Sequence, residues 1–354
     1  MTDSLWPRLA DLPLVVEDYE LEGLTAEMAG GRQRLTIQIR LRGRGDEGLG
    51  EDVSPFPDDP DALRNAPASL PLAGEWTLEG FCDHLATLDQ WPTPPEWEPA
   101  RLYRNWAYES AALDLALRQA GRALHEVLER EPRPLRFVNS LGLGDPPSTD
   151  TIHRRLARHP DVHFKLDAAA AWTLAVCEDL AATGAIDVVD FKGQYGMEVE
   201  DAGALAAMYE RVVTTFPDAI LEDPHDLPEV AGPLAPHVGR VSYDALIHSV
   251  DDLARTPVSP IRTVNIKPCR TGGLRALLAL YAHCDAEGIR MYGGGMGENG
   301  VGRGQIQLLA SLFHPDGPND VAPSGFNRED PPAGLPSSPL PPQPEATGFR
   351  AIRT

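Results

Sequence analysis

The chain has 354 residues, of which 42% are hydrophobic and 24% charged, a composition typical of a globular protein. Its formal net charge of −22 argues against non-specific nucleic-acid binding and against docking on an anionic membrane, because both depend on lysine and arginine meeting phosphates. The sequence contains no run of about 18 apolar residues, so we expect no membrane span. It also lacks a basic segment followed by a long apolar run, so we expect no signal peptide. The four cysteines, at positions 82, 177, 269 and 284, lack zinc or CxxC spacing, so we expect a cytoplasmic protein with reduced thiols.

The first third of the chain predicts an α+β unit. Alternating apolar residues favour strands over 11–22 and 33–42, joined by a turn around Gly30-Gly31. A loop rich in proline and aspartate is expected over 53–72. Helical spacing of apolar residues then predicts helices over 77–88 and 105–129.

From about residue 134 the pattern changes to short β-rich runs that alternate with helical runs. Such repeats predict a parallel sheet, either closed as a barrel or open and doubly wound. Residues 330–347 are rich in proline and predict an extended arm or a disordered tail. We therefore expect domains over 1–132 and 133–329 and a C-terminal segment over 330–354. The predicted strands are 135–139, 162–166, 186–190, 219–222, 239–243, 262–266 and 289–292, with helices over 168–182, 200–214, 248–255 and 273–287.

Ionisable residues recur at the carboxyl ends of these predicted strands, where parallel barrels place their active sites. Successive intervals are 25, 32, 22, 23 and 31 residues, which is about one strand–helix unit each. A single acid here would be an ordinary surface charge, but six residues at this spacing indicate a shared site. They are Lys165, Asp190, Glu222, Asp244 and Lys267, with Glu298 a few residues past the last strand.

Three of these residues, Asp190, Glu222 and Asp244, form a predicted metal site. Neighbouring carboxylates repel one another, and a hard divalent cation removes that repulsion. Few oxygen ligands with open positions favour Mg²⁺, with Mn²⁺ as the alternative, and the absence of clustered histidine and cysteine disfavours zinc. A lysine beside such a cation loses its proton more easily, and it can act as a base on a small carboxylate substrate, whose α-proton is acidified through a metal-stabilised enediolate.

The motifs around these residues resemble those of the enolase superfamily, in its muconate-lactonizing-enzyme and mandelate-racemase-like branch. GLGED at 48–52 and the helix that carries Asp114 resemble capping-domain segments, and the resemblance extends to about residue 325. It implies a modified (β/α)7β TIM-type barrel with an N-terminal α+β capping domain, whose loops around 23–32 and 53–72 select the substrate. It also implies a Mg²⁺-dependent lyase or isomerase that performs dehydration, cycloisomerisation or epimerisation. The barrel motifs, in family order, are VHFKLD, VVDFKG, LEDP, SYDA, NIKPCRTGGL and MGENGVGRGQ.

Three positions depart from the family pattern. Where the family has Lys-x-Lys on the second strand, this chain has Asp167 in place of the second lysine. Where the family has Asp-x-Asn on the third strand, this chain has Lys192 in place of the asparagine. Where the family has Asp-Glu on the fifth strand, this chain has Ala245 in place of the glutamate. Strand residues at i and i+2 share a face, so Asp167 and Lys192 are expected to enter the site, with Lys192 restoring the charge lost at 167.

These departures shape the expected catalytic roles. Lys267 is the expected base, because it alone keeps both position and residue type, and Lys165 is expected to bind the substrate carboxylate or to lower neighbouring pKa values. A one-base reaction such as dehydration is favoured over two-lysine racemisation. Racemisation stays open, because Asp167 could protonate the opposite face of the substrate.

Simpler interpretations of single residues also remain open. Asp167 could cap a helix that begins at Ala168. Lys192 could form a structural salt bridge with Asp190 or Asp187, and Glu298 could be a surface charge. Arg270, three residues past Lys267, could bind a substrate carboxylate or lie at the surface as a helix-start charge.

Other classes of protein are weaker alternatives. Residues 295–300 match GxGxxG, but they lie near the end of the strand–helix series, which favours close approach of the backbone to a ligand over a dinucleotide site. A barrel that binds metal and a small acid without turnover is the main rival, and an aldolase-like or sugar-isomerase-like metal barrel is another. Assembly into a homo-oligomer is left open by the sequence.

Overall fold

A computed structural model describes residues 5–31, 33–54 and 70–351. The N-terminal part is an α+β domain. Its strands are β1 (Pro13–Val16), β2 (Asp18–Glu27), β3 (Gln33–Gly43), β4 (Asp46–Asp52) and β5 (Gly74–Thr77). Its helices are α1 (Pro7–Ala10), α2 (Leu78–Leu85), α3 (Ala100–Gln119) and α4 (Leu124–Leu128).

The N-terminal strands form two antiparallel sheets, and this divides the strand predicted over 11–22. Strands β2, β3 and β4 form one sheet, whereas β1 pairs with β5, so the chain changes partner at Glu17. The helix predicted over 105–129 is also two helices, because Gly121 adopts a left-handed conformation (φ 63°) between α3 and α4. Of the loop predicted over 53–72, residues 55–69 lie outside the described part of the chain.

Helix α3 packs directly on β4, and two glycines of the GLGED segment allow this contact. A Cβ at Gly50 would lie 1.9 Å from the carbonyl oxygen of Ala107, and one at Gly48 would lie 2.2 Å from that of Ala111. Only glycine leaves room for the helix backbone at these positions. Asp114 on α3 also accepts a hydrogen bond from the N–H of Leu49 at 2.9 Å, which fixes the register between helix and strand.

The second part alternates strands and helices. Its strands are β6 (Val138–Gly142), β7 (His163–Asp167), β8 (Ile186–Asp190), β9 (Ile220–Glu222), β10 (Val241–Ser242), β11 (Thr263–Ile266) and β12 (Arg290–Gly293). Its helices are α5 (Asp150–Arg158), α6 (Leu174–Ala182), α7 (Ala202–Thr215), α8 (Pro228–Leu234), α9 (Val250–Leu253), α10 (Pro268–Thr271), α11 (Leu274–Glu287) and α12 (Val301–Phe313). The short helices at 29–31, 235–240 and 324–327 are 3-10 helices.

The strands of this part follow one another around a barrel. Strands β6 to β10 form a parallel sheet in chain order, and β11 pairs in parallel with β12. Single bridges continue the ring: Tyr243 with Val264, Gly294 with Asp320, and Asn319 with Phe137 of the segment before β6. Residues 319–320 therefore occupy the eighth strand position, and the predicted fold class, a (β/α)7β barrel with an α+β capping domain, is confirmed.

The C-terminal segment has no helix in its described residues and packs against both domains through isolated contacts. Leu340 and Leu135 exchange backbone hydrogen bonds at 2.7 and 2.9 Å, and Phe349 is fully buried near Trp106. Asp114 of α3 accepts the N–H of Phe349 at 2.7 Å. In the described part of this segment the chain is thus a packed arm. None of the helices in the described ranges is both long and apolar enough to cross a membrane.

Candidate active site

Five of the predicted site residues meet at the carboxyl end of the barrel. Lys165 lies in β7, Asp190 and Glu222 end β8 and β9, Asp244 follows β10, and Lys267 directly follows β11. The three acids are fully buried, and Lys165 and Lys267 are only 1% and 6% exposed. Charged groups are buried at such cost that they need charged partners or a bound ion.

The ammonium of Lys165 lies between two carboxylates. Its Nζ is 3.0 Å from Oδ2 of Asp190 and also contacts Oε1 of Glu222. Burial lowers the pKa of Lys165, but the negative charges of Asp190 and Glu222 outweigh this and raise it well above its usual value. The centre of the site therefore attracts and holds a positive charge.

Three carboxylates lie close enough together to share a metal ion. One oxygen from each of Asp190, Glu222 and Asp223 lies within 4.8 Å of the others. Burial raises the pKa of Glu222 to about 8 against the opposing effect of Lys165. Burial therefore disfavours the charged form of Glu222 unless a further cation is bound beside it.

Asp244 is placed beside this group and is turned toward a different cation. Its Oδ2 lies 2.8 Å from Nζ of Lys267, and its Oδ1 is buried without a hydrogen-bond partner among the described residues. The backbone N–H of Asp244 donates to Oδ1 of Asp223 at 2.8 Å, and that of Ala245 donates to Oδ2 of Asp223 at 3.0 Å. Asp223, which the sequence analysis missed although it is the second acid of LEDP, therefore orients Asp244.

Lys267 lies against the glycine-rich segment that follows β12. A Cβ at Gly294 would lie 2.4 Å from Cε of Lys267, so a larger residue at 294 would displace the lysine side chain. Nζ of Lys267 also lies 3.7 Å from Sδ of Met296. The position of this lysine therefore depends on the conformation of residues 294–296.

Asp167 and Lys192 face each other at the edge of the site. Nζ of Lys192 lies 2.5 Å from Oδ2 of Asp190 and 3.2 Å from Oδ1 of Asp167, and the side chain of Asp167 is 40% exposed. Burial and the charge of Lys165 lower the pKa of Lys192, but Asp190 and Asp167 raise it overall. Both residues thus enter the site as expected from the i, i+2 spacing.

The structure excludes the simpler interpretation of Asp167 as a helix cap, and it contains the salt bridge suggested for Lys192. No helix begins at Ala168; α6 begins at Leu174 with Thr173 as its cap, so Asp167 caps no helix there. Lys192 does pair with Asp190, whereas Asp187 pairs with Arg136 and His163.

Arg270 and Tyr195 form the neighbouring wall. The hydroxyl of Tyr195 accepts a hydrogen bond from Nη2 of Arg270 at 2.9 Å and donates one to Oδ2 of Asp244 at 3.3 Å. Arg270 is 6% exposed, which excludes the surface interpretation, and Tyr195 is 42% exposed. Tyr195 was missed in the sequence, where it lies in an irregular loop five residues past Asp190.

Glu298 is buried, and its carboxylate contacts the segment after β12 and Arg303. Its Oε1 accepts the N–H of Met296 at 2.7 Å, and its Oε2 lies 2.9 Å from Nη2 of Arg303. At 3% exposure it is not a surface charge. Its contacts organise the loop over 294–300 rather than the carboxylate group.

Two further side chains hold Glu222. The hydroxyl of Tyr292 donates to its Oε2, and Nδ2 of Asn265 lies 3.3 Å from the same oxygen. The sequence analysis missed both residues. Asn265 lies two residues before Lys267 in β11, and the i, i+2 rule could have identified it.

The lysine content of the chain singles out this site. Lysine occurs three times among the 31 lysine and arginine residues, at positions 165, 192 and 267. All three ammonium groups contact the acids described above. Arginine cannot give up its proton in a protein, whereas lysine can, so the two residues are not equivalent in acid–base chemistry.

The fold is similar to that of solved structures from the enolase superfamily, at low sequence identity. A candidate mandelate racemase/muconate lactonizing enzyme from Sorangium cellulosum superposes with a TM-score of 0.72 at 19% identity, over 96% of this chain and 99% of the other. A dipeptide epimerase from Methylococcus capsulatus, complexed with a Mg ion, superposes with a TM-score of 0.67 at 18% identity, over 89% and 92% of the two chains.

Two family models assign the chain more closely. The model of the C-terminal domain of the domain of unknown function DUF8230 matches residues 131–328, and that of its N-terminal domain matches residues 7–127. The chain belongs to the DUF8230 family. The curated o-succinylbenzoate synthase of Bacillus subtilis (strain 168) is 36% identical over 85 residues, which span 24% of this chain and 23% of that protein.

Proposed function

We propose that this protein is a Mg²⁺-dependent lyase or isomerase that removes a proton α to the carboxylate of a small substrate. The observation that carries the proposal is the placement of Lys165 and Lys267 on the second and sixth of eight barrel strands. These strands lie across the barrel from each other, and the buried acids come from the strands between them. A substrate held over the acids would therefore have one lysine on each side.

The acids fit a hard divalent cation. Asp190 and Glu222 would hold it together with Asp244, whose buried Oδ1 is satisfied by no described residue, and the carboxylate that lies within 4.8 Å of the first two here is that of Asp223. Asp223 would keep its role of orienting Asp244. When bound, Mg²⁺ or Mn²⁺ would polarise the substrate carboxylate and stabilise the negative charge that develops on it.

The lysines supply the proton transfer. Nζ of Lys267 would take the α-proton, since it is buried beside Asp244 on the side of the acids opposite to Lys165. Nζ of Lys165 would bind a carboxylate oxygen of the substrate from the other side. A one-base elimination would combine this proton removal with departure of a leaving group from the β-carbon as the C=C bond forms, while Lys165 holds the charge of the substrate carboxylate.

Asp167 and Lys192 decide whether a second proton transfer follows. Their contact at 3.2 Å places an acid and an ammonium group at the partly exposed edge of the site. This pair would protonate a leaving hydroxyl in a dehydration or the substrate carbon in an epimerisation. The dipeptide epimerase, which is complexed with a Mg ion, and the o-succinylbenzoate synthase, which forms a carboxylate, support the general chemistry.

The test is exchange of α-protons in D₂O. The protein is incubated with Mg²⁺ and a panel of hydroxy acids, dicarboxylates and N-acyl amino acids, and deuterium incorporation is followed by ¹H NMR. We expect exchange with at least one acid, and a loss of about 10²–10⁴-fold in both Lys267→Ala and Lys267→Arg. The arginine variant keeps the positive charge beside Asp244. A loss of α-proton exchange in this variant would therefore show that Lys267 transfers the proton and does not merely supply a charge.

The rival is a barrel that binds metal and a small acid without turnover, and the altered Lys-x-Asp motif at 165–167 favours it. Mg²⁺ binding by calorimetry without exchange or product formation across the panel would support this rival. Retention of exchange in Lys267→Arg would refute the assigned base.

A further inference from the structure

Two buried carboxylates of the capping domain lie at the first turns of two barrel helices. Glu51 of β4 contacts the start of α12, and Glu109 of α3 contacts the start of α11. They are 1% and 7% exposed, and neither belongs to the strand-end site. Each acts across the seam between the domains.

Glu51 accepts hydrogen bonds from the unpaired backbone amides that precede and begin α12. The N–H of Asn299 donates to its Oε1 at 2.7 Å, and those of Gly300 and Gly302 donate to its Oε2 at 3.0 and 2.9 Å. The hydroxyl of Thr36 donates at 2.7 Å. Burial raises the pKa of Glu51, whereas these hydrogen bonds lower it. The charge of Glu298 also raises this pKa, which is raised overall, and a carboxyl group that accepts these N–H groups at the positive end of a helix stabilises that end.

Glu109 makes the equivalent contact with α11. The N–H of Leu274 donates to its Oε2 at 2.7 Å. Nδ2 of Asn105 donates to its Oε1 at 2.8 Å and to the carbonyl oxygen of Gly272 at 2.5 Å. One capping-domain helix thus holds Gly272 and Leu274, on either side of Gly273.

Glycines at both helix starts leave room for these carboxylates. A Cβ at Gly273 would lie 2.9 Å from Oε2 of Glu109, and one at Gly302 would lie 2.9 Å from Oε2 of Glu51. The glycines of the NIKPCRTGGL and MGENGVGRGQ motifs therefore serve, at these two positions, the approach of a carboxylate from the other domain. The glycines at 295–300 were expected to let the backbone approach a ligand. In MGENGVGRGQ, the group that approaches the backbone is in part Glu51 of the protein itself.

Both contacts act on segments that adjoin Lys267. Lys267 leads into α10, which ends immediately before Gly272 and Gly273. The segment before α12 carries Met296, whose Sδ lies 3.7 Å from Nζ of Lys267. Arg34 of the capping domain adds a further contact there, with Nη2 2.9 Å from the carbonyl oxygen of Met296. The capping domain therefore contacts both of the segments next to this lysine, the one that follows α10 and the one that precedes α12.

We propose that Glu51 and Glu109 are positioning residues that dock the capping domain on α11 and α12 and thereby fix Lys267. The docking stands on the geometry alone, while its effect on the reaction rests on the proposed function.

Hydrogen–deuterium exchange of the full-length protein with Mg²⁺ tests the docking. Glu51→Gln places an amide N–H₂ against backbone donors, so exchange at Asn299, Gly300 and Gly302 should become about tenfold faster or more, with α11 unchanged. Glu109→Gln should do the same at Leu274, with α12 unchanged. Asp201→Asn is the matched control: Asp201 caps α7 through the N–H of Ala204 at 2.9 Å, but it lies in the same domain as that helix. It should alter exchange near Ala204 only.

Kinetics of α-proton exchange then test the effect on Lys267. Both glutamine variants should lower kcat about tenfold with KM little changed, and Asp201→Asn should leave both unchanged. If Glu51→Gln fails to fold, Thr36→Val, which removes one donor to Glu51 with little change of shape, should give a smaller acceleration at residues 299–302. Unchanged exchange at both helix starts would overturn the proposal. Faster amide exchange with an unchanged kcat would overturn the effect on Lys267 and leave only the docking role. The absence of any turnover by the wild-type protein would count against the proposed function alone.

Discussion

The ammonium of Lys267 lies 2.8 Å from Oδ2 of Asp244, while Oδ1 of the same carboxylate is buried without a hydrogen-bond partner among the described residues. One oxygen thus serves the proposed base and the other is available to the proposed metal. Asp223 fixes this division, because it holds the backbone N–H of Asp244 at 2.8 Å. The metal and the base are therefore expected to respond together when Asp244 is changed.

Mg²⁺ should stabilise the folded protein. At a Mg²⁺ concentration about 100 times Kd, binding to the native state alone contributes about 2.7 kcal/mol, which corresponds to a rise in Tm of roughly 5 °C. Differential scanning fluorimetry after chelator treatment measures this rise. Asp190→Asn and Asp244→Asn should abolish it, whereas Asp201→Asn should retain it. An unchanged Tm with both Mg²⁺ and Mn²⁺ would contradict the metal site.

Tyr292→Phe should weaken metal binding without removing a ligand. The hydroxyl of Tyr292 donates to Oε2 of Glu222, and loss of such a supporting hydrogen bond usually costs about 10–100-fold in metal affinity. Calorimetric titration with Mg²⁺ gives the ratio of Kd values. Tyr281→Phe is the matched control, since its hydroxyl is equally buried but lies 3.4 Å from Nε2 of His314. Equal Kd values in wild type and Tyr292→Phe would show that Glu222 needs no such support.

His314 should make stability depend on pH between about 4 and 6.5. Burial lowers its pKa from 6.5 to about 4, partly opposed by Asn319, which lies 2.7 Å from Nδ1. Because the unfolded state binds the proton first, this stabilisation is complete above pH 6.5 and is lost as pH falls toward 4. Between pH 7 and pH 5 the loss from this group is about 2 kcal/mol.

Urea unfolding at pH 7 and pH 5 measures that dependence by difference. His314→Gln should lose about 2 kcal/mol less than wild type between the two values, whereas His283→Gln on α11 should behave as wild type. The same pH dependence in wild type and His314→Gln would mean that His314 is not the responsible group.

Gly50→Ala should destabilise the capping domain strongly. The added Cβ would lie 1.9 Å from the carbonyl oxygen of Ala107, so β4 and α3 must separate, at a cost of about 1–3 kcal/mol or more. Gly232→Ala, where a Cβ on α8 meets nothing within 4 Å, should be neutral or stabilise by up to about 1 kcal/mol. Urea midpoints at constant slope compare the two variants. A Gly50→Ala midpoint equal to that of wild type would show that the helix and strand can part without cost.

The sequence alone predicted the alternation of strands and helices after residue 134 and the placement of ionisable residues at strand ends. This is so because the periodicity of apolar residues and the spacing of charges are local properties of the chain. The positions of Lys165, Asp190, Glu222, Asp244 and Lys267 followed from it, as did the entry of Asp167 and Lys192 into the site. The strand boundary at Glu17 did not, because it depends on which distant strand each half pairs with.

Only the tertiary structure decided which partner each carboxylate contacts. Asp223 and Asp244 are both acids near strand ends, and nothing local separates the one that receives backbone N–H groups from the one that faces Lys267. In the same way, Glu51 and Glu109 resemble ordinary helix and strand charges until the two domains meet. Hydrogen bonds between residues 165 to 251 positions apart are fixed by domain packing, so no local pattern in the sequence could reveal them.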